Sequence, residues 1–547
     1  MLIVSCMTIS PLKAEEQPIS QDVSGLLDYT DEYGTDQGIS KQQVVVNKRS
    51  RSVQPKEVGY IAVFIEFPDE DMQKYHLDDP ASLAAAENLM NGTNVSMTGT
   101  LGTGTVLSMK EYIKQYSYNK LDVTTKFFPY KDGKVVSHIS SKPCTYYLKQ
   151  SATNPNGYTP ENKLAREKEL ITEAVTAIQT QVKDHFSADQ LDTNHDGVID
   201  AISFFVESKS AAESDGVSWQ DLLWSHKTEN YIEPTILGKR VAVYNLINTY
   251  SNASAGGIFT QNRSSYGTII HEYLHTCGLP DLYRATENGK PVGFYDIMAS
   301  TKGANPQPFL SVMNDDILEW RSPLKEIEQS TENITVSKPQ YHNVGEQNAI
   351  KLYSPLSENE YFVAEYYSNP SFEVDSSHAD SDGLLLYRVN ERGEWSNIGG
   401  NPGQQNDYIY VFRPGDTQLN AGNGDLTKAV LNKKRPVLGK PLNQTAATWD
   451  NETLYFSDGT NSGLSISVTA QDNASVTFDV NISEGLRGDG TKSDPYQITK
   501  PGDFNILKQK PNAYYKLMND IDMNSIDDFQ PVESFKGNFD GNNKVIR

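Results

Sequence analysis

Two histidines four residues apart, an acid between them and a second acid beyond a glycine fill one short stretch, His271-Glu272-Tyr273-Leu274-His275-Thr276-Cys277-Gly278-Leu279-Pro280-Asp281. On a helix His271 and His275 project from one face, so their imidazoles can bind one metal ion. Glu272 lies one step round. From there a carboxylate reaches a metal-bound water without binding the metal, as a general base must. Gly278 tolerates the positive φ that ends a helix, so the chain can turn and bring Asp281 toward the same ion. H-E-x-x-H alone is a pattern that arises by chance, but here the glycine and the acid continue the spacing. The residues predict a Zn²⁺ site that activates water for hydrolysis. Aspartate is a sound zinc ligand at about 2.0–2.2 Å, yet a harder one than histidine, which leaves the identity of the metal open. Asp296 and Glu319 are rival third ligands; spacing favours Asp281.

Met298 follows in Gly293-Phe294-Tyr295-Asp296-Ile297-Met298-Ala299. It resembles the methionine turn that metzincins place beneath their metal, although most of them carry histidine where this chain has Asp281. The wider neighbourhood, Leu279-Pro280-Asp281-Leu282-Tyr283 with Tyr295-Asp296-Ile297-Met298, resembles the immune inhibitor A family of secreted bacterial metallopeptidases. So do Gly59-Tyr60-Ile61-Ala62-Val63-Phe64-Ile65-Glu66-Phe67-Pro68, Ser108-Met109-Lys110-Glu111-Tyr112, Tyr116-Ser117-Tyr118-Asn119-Lys120-Leu121, Leu223-Trp224-Ser225-His226, and Pro308-Phe309-Leu310-Ser311 with Leu318-Glu319-Trp320. Glu319 stands where the family pattern leads one to expect glycine. The resemblance covers roughly residues 57 to 485. It implies zinc, calcium and an extracellular endopeptidase activity, with His271, His275 and Asp281 at the ligand positions and Glu272 as catalytic acid and base.

A second oxygen-rich motif is Asp192-Thr193-Asn194-His195-Asp196-Gly197-Val198-Ile199-Asp200. Side-chain oxygens on Asp192, Asn194, Asp196 and Asp200, a carbonyl from Val198 and glycine at the sixth place follow the pattern of a wrapped Ca²⁺ loop. The twelfth position is Ser203, not glutamate, so a full helix-loop-helix hand is not expected; the bland alternative is an acidic turn before a strand. His226 and Tyr295 are weaker candidates for contact with a tetrahedral intermediate. Packing is the commoner role for a single His or Tyr, and Tyr283 reads as an aromatic beside the ligand.

The chain has 547 residues, too many for one core, and about 3–4 domains are expected. Its 48 Lys and Arg against 71 Asp and Glu give a net charge of −23, which repels nucleic acid and anionic lipid. Nucleic acid is therefore not an expected partner. Cys6, Cys144 and Cys277 show no spacing of a zinc ribbon or a disulfide framework. A Cys144–Cys277 bridge is conceivable, but Cys277 reads better as a small buried thiol.

Residues 1–14 resemble a short export signal without its basic start, and their apolar run falls well below the ~20 residues of a membrane span. Cys6 is an alternative lipid-attachment site. No other segment could span a membrane. Residues 15–56 read as a pro-segment or linker, with a basic patch at Lys48-Arg49-Ser50-Arg51. Residues 57–330 alternate strand and helix patterns, with an apolar strand from Tyr60 to Phe67, helical periodicity from Glu161 to His185 and a buried strand from Ile202 to Val206. The fold class predicted is an α/β zincin-like, metzincin-type catalytic domain followed by all-β units. Residues 331–485 carry alternating strands that suggest a β-sandwich, and 486–547 resemble the opening coil of the β-helical repeats of bacterial surface adhesins.

The function expected is that of a secreted zinc endopeptidase acting on extracellular proteins or peptides. The competing class is a surface adhesin that binds glycans or matrix and carries an inactive protease-like domain. Decay usually removes the acid or a ligand, yet Glu272, both histidines and Asp281 are all present.

Overall fold

The computed structural model describes residues 56–547 except 70–79, 100–101, 207–221, 249–262, 285–288, 302–308, 369–381, 392–396, 398–406, 417–422, 441–451, 524–531 and positions 342, 358, 484 and 533. The expected export signal, with Cys6, and the pro-segment up to residue 55 lie outside the described residues.

The first region is built on strand β1 (Lys56–Glu66), whose run of apolar residues is buried on both faces. It pairs in parallel with β2 (Leu121–Phe128) and β3 (Ile202–Val206). Beyond β3 come β5 (Lys239–Asn248), also parallel, and β4 (His226–Ile236), antiparallel, so the order is β2-β1-β3-β5-β4 and β4 ends it. A period of two divides β1 between two layers. Val58, Tyr60, Ala62 and Phe64 share a core with helices α1 (Met109–Tyr116) and α3 (Arg263–Thr276). Ile61, Val63 and Ile65 face Leu170, Ile171, Ala174 and Ile178 of α2 (Lys163–Ile178).

Ser108 caps α1 by accepting the Glu111 N–H at 3.1 Å. The helical periodicity running on to His185 breaks at Ile178. Gln181 bonds instead across both backbone groups of Tyr130, at 2.7 and 3.2 Å, and a single tight turn, Val182–Asp184, follows.

Two further sheets follow. The first is β6 (Lys325–Ile327), β8 (Ala349–Leu352), β9 (Glu360–Tyr367), β10 (Gly383–Asn390) and β11 (Ile409–Val411). The second is ordered β7 (Thr331–Ser337), β14 (Ser475–Ile482), β13 (Leu464–Gln471) and β12 (Val437–Gly439). Phe362, Ala364, Leu384 and Leu386 point into a core shared with Ile466, Phe478 and Val480 of the second sheet. Tyr361, Val363, Leu385, Tyr387 and Val389 point the other way, into the core of the zinc-motif helix α3. Strands β9 and β10 are thus buried on both faces, which is why they read as continuous apolar runs where alternation was expected.

At the end of the chain β15 (Tyr496–Ile498), β16 (Tyr514–Leu517) and β17 (Asn538–Asp540) pair in parallel, in sequence order. Tyr496, Tyr515 and Phe539 occupy equivalent positions, with the Tyr515 ring tilted against Tyr496 at 5.8 Å and stacked on Phe539 at 6.4 Å between centroids.

Phe64 sits at the centre of the first core, fully buried against Phe127 and Phe205. Phe64→Ala is expected to cost about 3–5 kcal/mol of stability, read from the shift in a denaturant melt.

Candidate metal centre

Helix α3 ends as the sequence predicts. Gly278 has φ +100°, its N–H donates to the His275 carbonyl at 2.9 Å, and the Leu279 N–H reaches the Leu274 carbonyl at 3.1 Å. This six-to-one closure turns the chain back over the last helical turn. A second glycine, Gly267, works by its lack of a side chain: a Cβ there would lie 2.4 Å from the Thr301 carbonyl, so the helix can rest directly on the segment after the methionine turn.

The turn brings three ligand atoms together. His271 Nε2 and His275 Nε2 are 3.0 Å apart, and Asp281 Oδ1 lies 3.1 and 3.2 Å from them. Each imidazole presents its Nδ1 to a backbone carbonyl, His271 to Ile297 at 2.9 Å and His275 to Leu279 at 2.7 Å. A carbonyl can only accept, so the proton sits on Nδ1 and each Nε2 turns a lone pair inward. Tetrahedral ligands at about 2.0–2.2 Å from an ion are separated by roughly 3.3 Å, close to this triangle. Among the described residues these three are the group of His, Cys, Asp and Glu side chains whose ligand atoms converge in this way.

The electrostatics agree with a cation site. Burial works against a charged imidazole, but the Asp281 carboxylate outweighs it and His271 is pushed up to about 9. Burial likewise opposes ionisation of Asp281, and the two imidazoles nevertheless hold it well below the usual carboxylate range. Glu272 is buried, and its Oε2 has no hydrogen-bond partner in the structure. Burial pushes its carboxyl up, with the two histidines acting in the opposite sense.

Met298 is fully buried, and its carbonyl accepts the Leu282 N–H at 2.9 Å, next to Asp281. Its turn therefore touches the site twice, since the neighbouring Ile297 carbonyl orients His271. Asp296 is not a third ligand. Its two oxygens accept the N–H groups of Met298 and Leu310, each at 2.7 Å, and hold the turn closed. Nor is Glu319, which is exposed and has φ +54°. That left-handed backbone explains why glycine was expected at this position.

His226 pairs with the buried Glu167 at 3.4 Å, and its Nδ1 lies 2.6 Å from the Trp224 carbonyl. Tyr295 donates to the Leu426 carbonyl at 2.8 Å, and the Tyr283 ring stacks 6.4 Å from His271. Cys144 and Cys277 are buried in different cores and are not bridged to each other.

The Asp192–Asp200 loop is arranged differently from the expected calcium site. Asp192 accepts the N–H groups of Asp196 and Gly197, both at 3.0 Å, and carries the Lys239 ammonium at 2.6 Å. Asp200 accepts from the backbone and hydroxyl of Thr193 at 2.7 and 2.6 Å. Asn194 donates to Asp196 at 2.9 Å, and Asp196 accepts the Val198 N–H at 2.8 Å. The oxygens expected to wrap calcium are engaged in the turn itself, and a lysine already supplies positive charge, so the structure lends calcium no support.

Residues 48–314 match the family model of the immune inhibitor A peptidase M6, catalytic domain. Two curated relatives are the pre-pro-metalloprotease PrtV of Vibrio cholerae serotype O1, from strain M66-2 and from strain ATCC 39315 / El Tor Inaba N16961. Each is 26% identical over 262 residues, 44% of this chain and 27% of the relative. The chain thus spans about a quarter of the length of the curated relatives it matches. Wild-type OgpA from Akkermansia muciniphila, solved in two crystal forms, is 12% and 10% identical, covering 64% and 62% of this chain and 88% and 84% of that one. Its TM-score of 0.23 in both is too low to carry an argument about the fold.

The region that bears the histidines is a catalytic domain of the metallopeptidase class. It is similar to the catalytic domain of the immune inhibitor A peptidases, family M6. Among the described residues no helix is long and apolar enough to cross a membrane.

Burial pushes Asp296 up to about 7, so its folded-state value lies above the unfolded one. A raised carboxyl stabilises the fold while protonated, and that contribution is lost as pH rises from about 4 to 7. Asp296→Asn is expected to flatten the fall in stability across that window, measured by denaturant melts at stepped pH.

Proposed function

We propose that the protein is an exported zinc endopeptidase that hydrolyses peptide bonds of extracellular proteins. His271, His275 and Asp281 hold the zinc, and Glu272 is the catalytic acid and base. The observation that carries this reading is the triangle of lone pairs, locked by two backbone carbonyls and flanked by a buried carboxylate oxygen with no partner.

Bound by these three side chains, zinc supplies Lewis acidity toward the attacking water and the scissile carbonyl. Glu272 Oε2 takes the proton of the water and delivers it to the departing amine nitrogen. Its lack of a competing bond keeps that oxygen available in both steps. The edge strand β4 offers main-chain groups that can align an extended peptide. The Ile297 carbonyl keeps His271 from rotating out of the site.

The two sheets over one core are read as a β-sandwich, and the parallel, stacked strands at the end of the chain as the first coil of a solenoid. That coil favours a second role, contact with a cell surface or matrix, alongside catalysis. A pure adhesin would not need the intact triangle or the unpaired Glu272.

Casein clearance by the wild-type protein, abolished by a zinc chelator and restored by zinc, is the expected result. Glu272→Ala is expected to lower turnover at least about 10²-fold while metal analysis finds zinc bound as in the wild type. Undiminished proteolysis in that variant would refute the mechanism.

A further inference from the structure

Asp281 stands on a stretch without helix or strand, so its place beside the two imidazoles depends on what holds the backbone around it. On its N-terminal side the closure at Gly278 does this. On its C-terminal side the partners come from a part of the chain more than a hundred residues away.

Asn397 is fully buried and makes four hydrogen bonds there. Its backbone N–H donates to the Asp281 carbonyl at 3.0 Å. Its Nδ2 donates to the Leu282 carbonyl at 3.1 Å and to the Ile409 carbonyl at 2.7 Å, while its Oδ1 accepts the Ile409 N–H at 3.1 Å. One side chain thus ties the ligand segment to strand β11, and only a primary amide offers two donors and an acceptor in that shape. The same sheet grips the rest of the segment that leads to Met298. The Arg284 guanidinium and the Asp407 carboxylate, both fully buried, pair through Nε and Oδ1 at 2.8 Å. The Pro291 carbonyl accepts the Val411 N–H at 3.0 Å and the Arg413 guanidinium, and the Tyr295 hydroxyl reaches Leu426.

We propose that Asn397 is a positioning residue for the third metal ligand, and that through it the all-β region completes the metal site of the catalytic region. The inference rests on the reading of His271, His275 and Asp281 as ligands. Its consequence is reciprocal: if the β strands fix Asp281, bound metal must in turn stabilise their docking. Buried polar groups make the coupling strong, because without the Asn397 amide the groups it pairs on the fully buried Leu282 and Ile409 lose that partner.

The test uses the full chain, with zinc affinity measured by competition against a chromogenic chelator and with melting temperatures taken with and without zinc. Asn397→Ala is expected to weaken zinc binding about tenfold and to shrink the zinc-induced rise in melting temperature. Asn397→Asp keeps the shape and the acceptor but loses the donating amide, and is expected to do the same. Tyr295→Phe, which removes one hydroxyl at the far end of the grip, should fold normally and weaken zinc binding by about threefold. Ser354→Ala is the control, since it removes a buried bond from Ser354 Oγ to the Ser462 carbonyl, 2.6 Å, within the β region. It should lower the melting temperature and leave zinc affinity at the wild-type value. Wild-type affinity in the Asn397 and Tyr295 variants, or an equal loss in Ser354→Ala, overturns the inference while leaving the metal site standing. A wild-type protein that binds no zinc overturns both.

Discussion

Two imidazole nitrogens and a carboxylate oxygen, all acceptors, are held within 3.2 Å of one another. Such an arrangement is stable only if positive charge lies between them or if the surroundings leave the side chains no alternative. The Ile297 and Leu279 carbonyls remove the alternative by taking both Nδ1 protons. Around this point the rest of the fold takes on its roles: α3 spaces the histidines, Gly278 returns the chain, and the turn at Ile297 and Met298 bonds to His271 and to Leu282 beside Asp281.

Burial then separates the two acids. Asp281 faces both imidazoles and stays ionised, whereas Glu272, one position along the helix from His271, lies in a drier place and is pushed the other way. Two carboxyls within one motif acquire different characters because only one of them meets the histidines directly. The proposed roles, one carboxylate to hold a metal and one to carry a proton, call for this difference.

The sheet of β6, β8, β9, β10 and β11 is not a separate appendage to this site. One of its faces completes the core around α3, and its far strands hold the segment between Asp281 and Met298. The catalytic region and the β region therefore share a hydrophobic core and a set of buried polar bonds. Their strands read as continuous apolar runs for that reason, a pattern easily confused with any buried strand.

The sequence alone determined the local chemistry. His271, Glu272, His275, Gly278 and Asp281 were legible because a helical period and a glycine stop are written over eleven consecutive residues, and the first apolar strand was legible from its composition. The loop at Asp192–Asp200 shows the limit of that kind of reading: its oxygens have the spacing of a calcium ligand set, but whether they turn inward to an ion or outward to N–H groups and Lys239 depends on partners far away in the chain. Asp296 and Glu319 could be dismissed as ligands only once their hydrogen bonds and backbone angles were in view. Asn397, Asp407 and Arg413 carry no sequence signal, since a lone amide or charge resembles any surface residue until the chain folds it onto the site. Spacing within one helix is fixed by the backbone's own geometry; contacts across more than a hundred residues are fixed only by packing, and it is packing that decided how Asp281 is held.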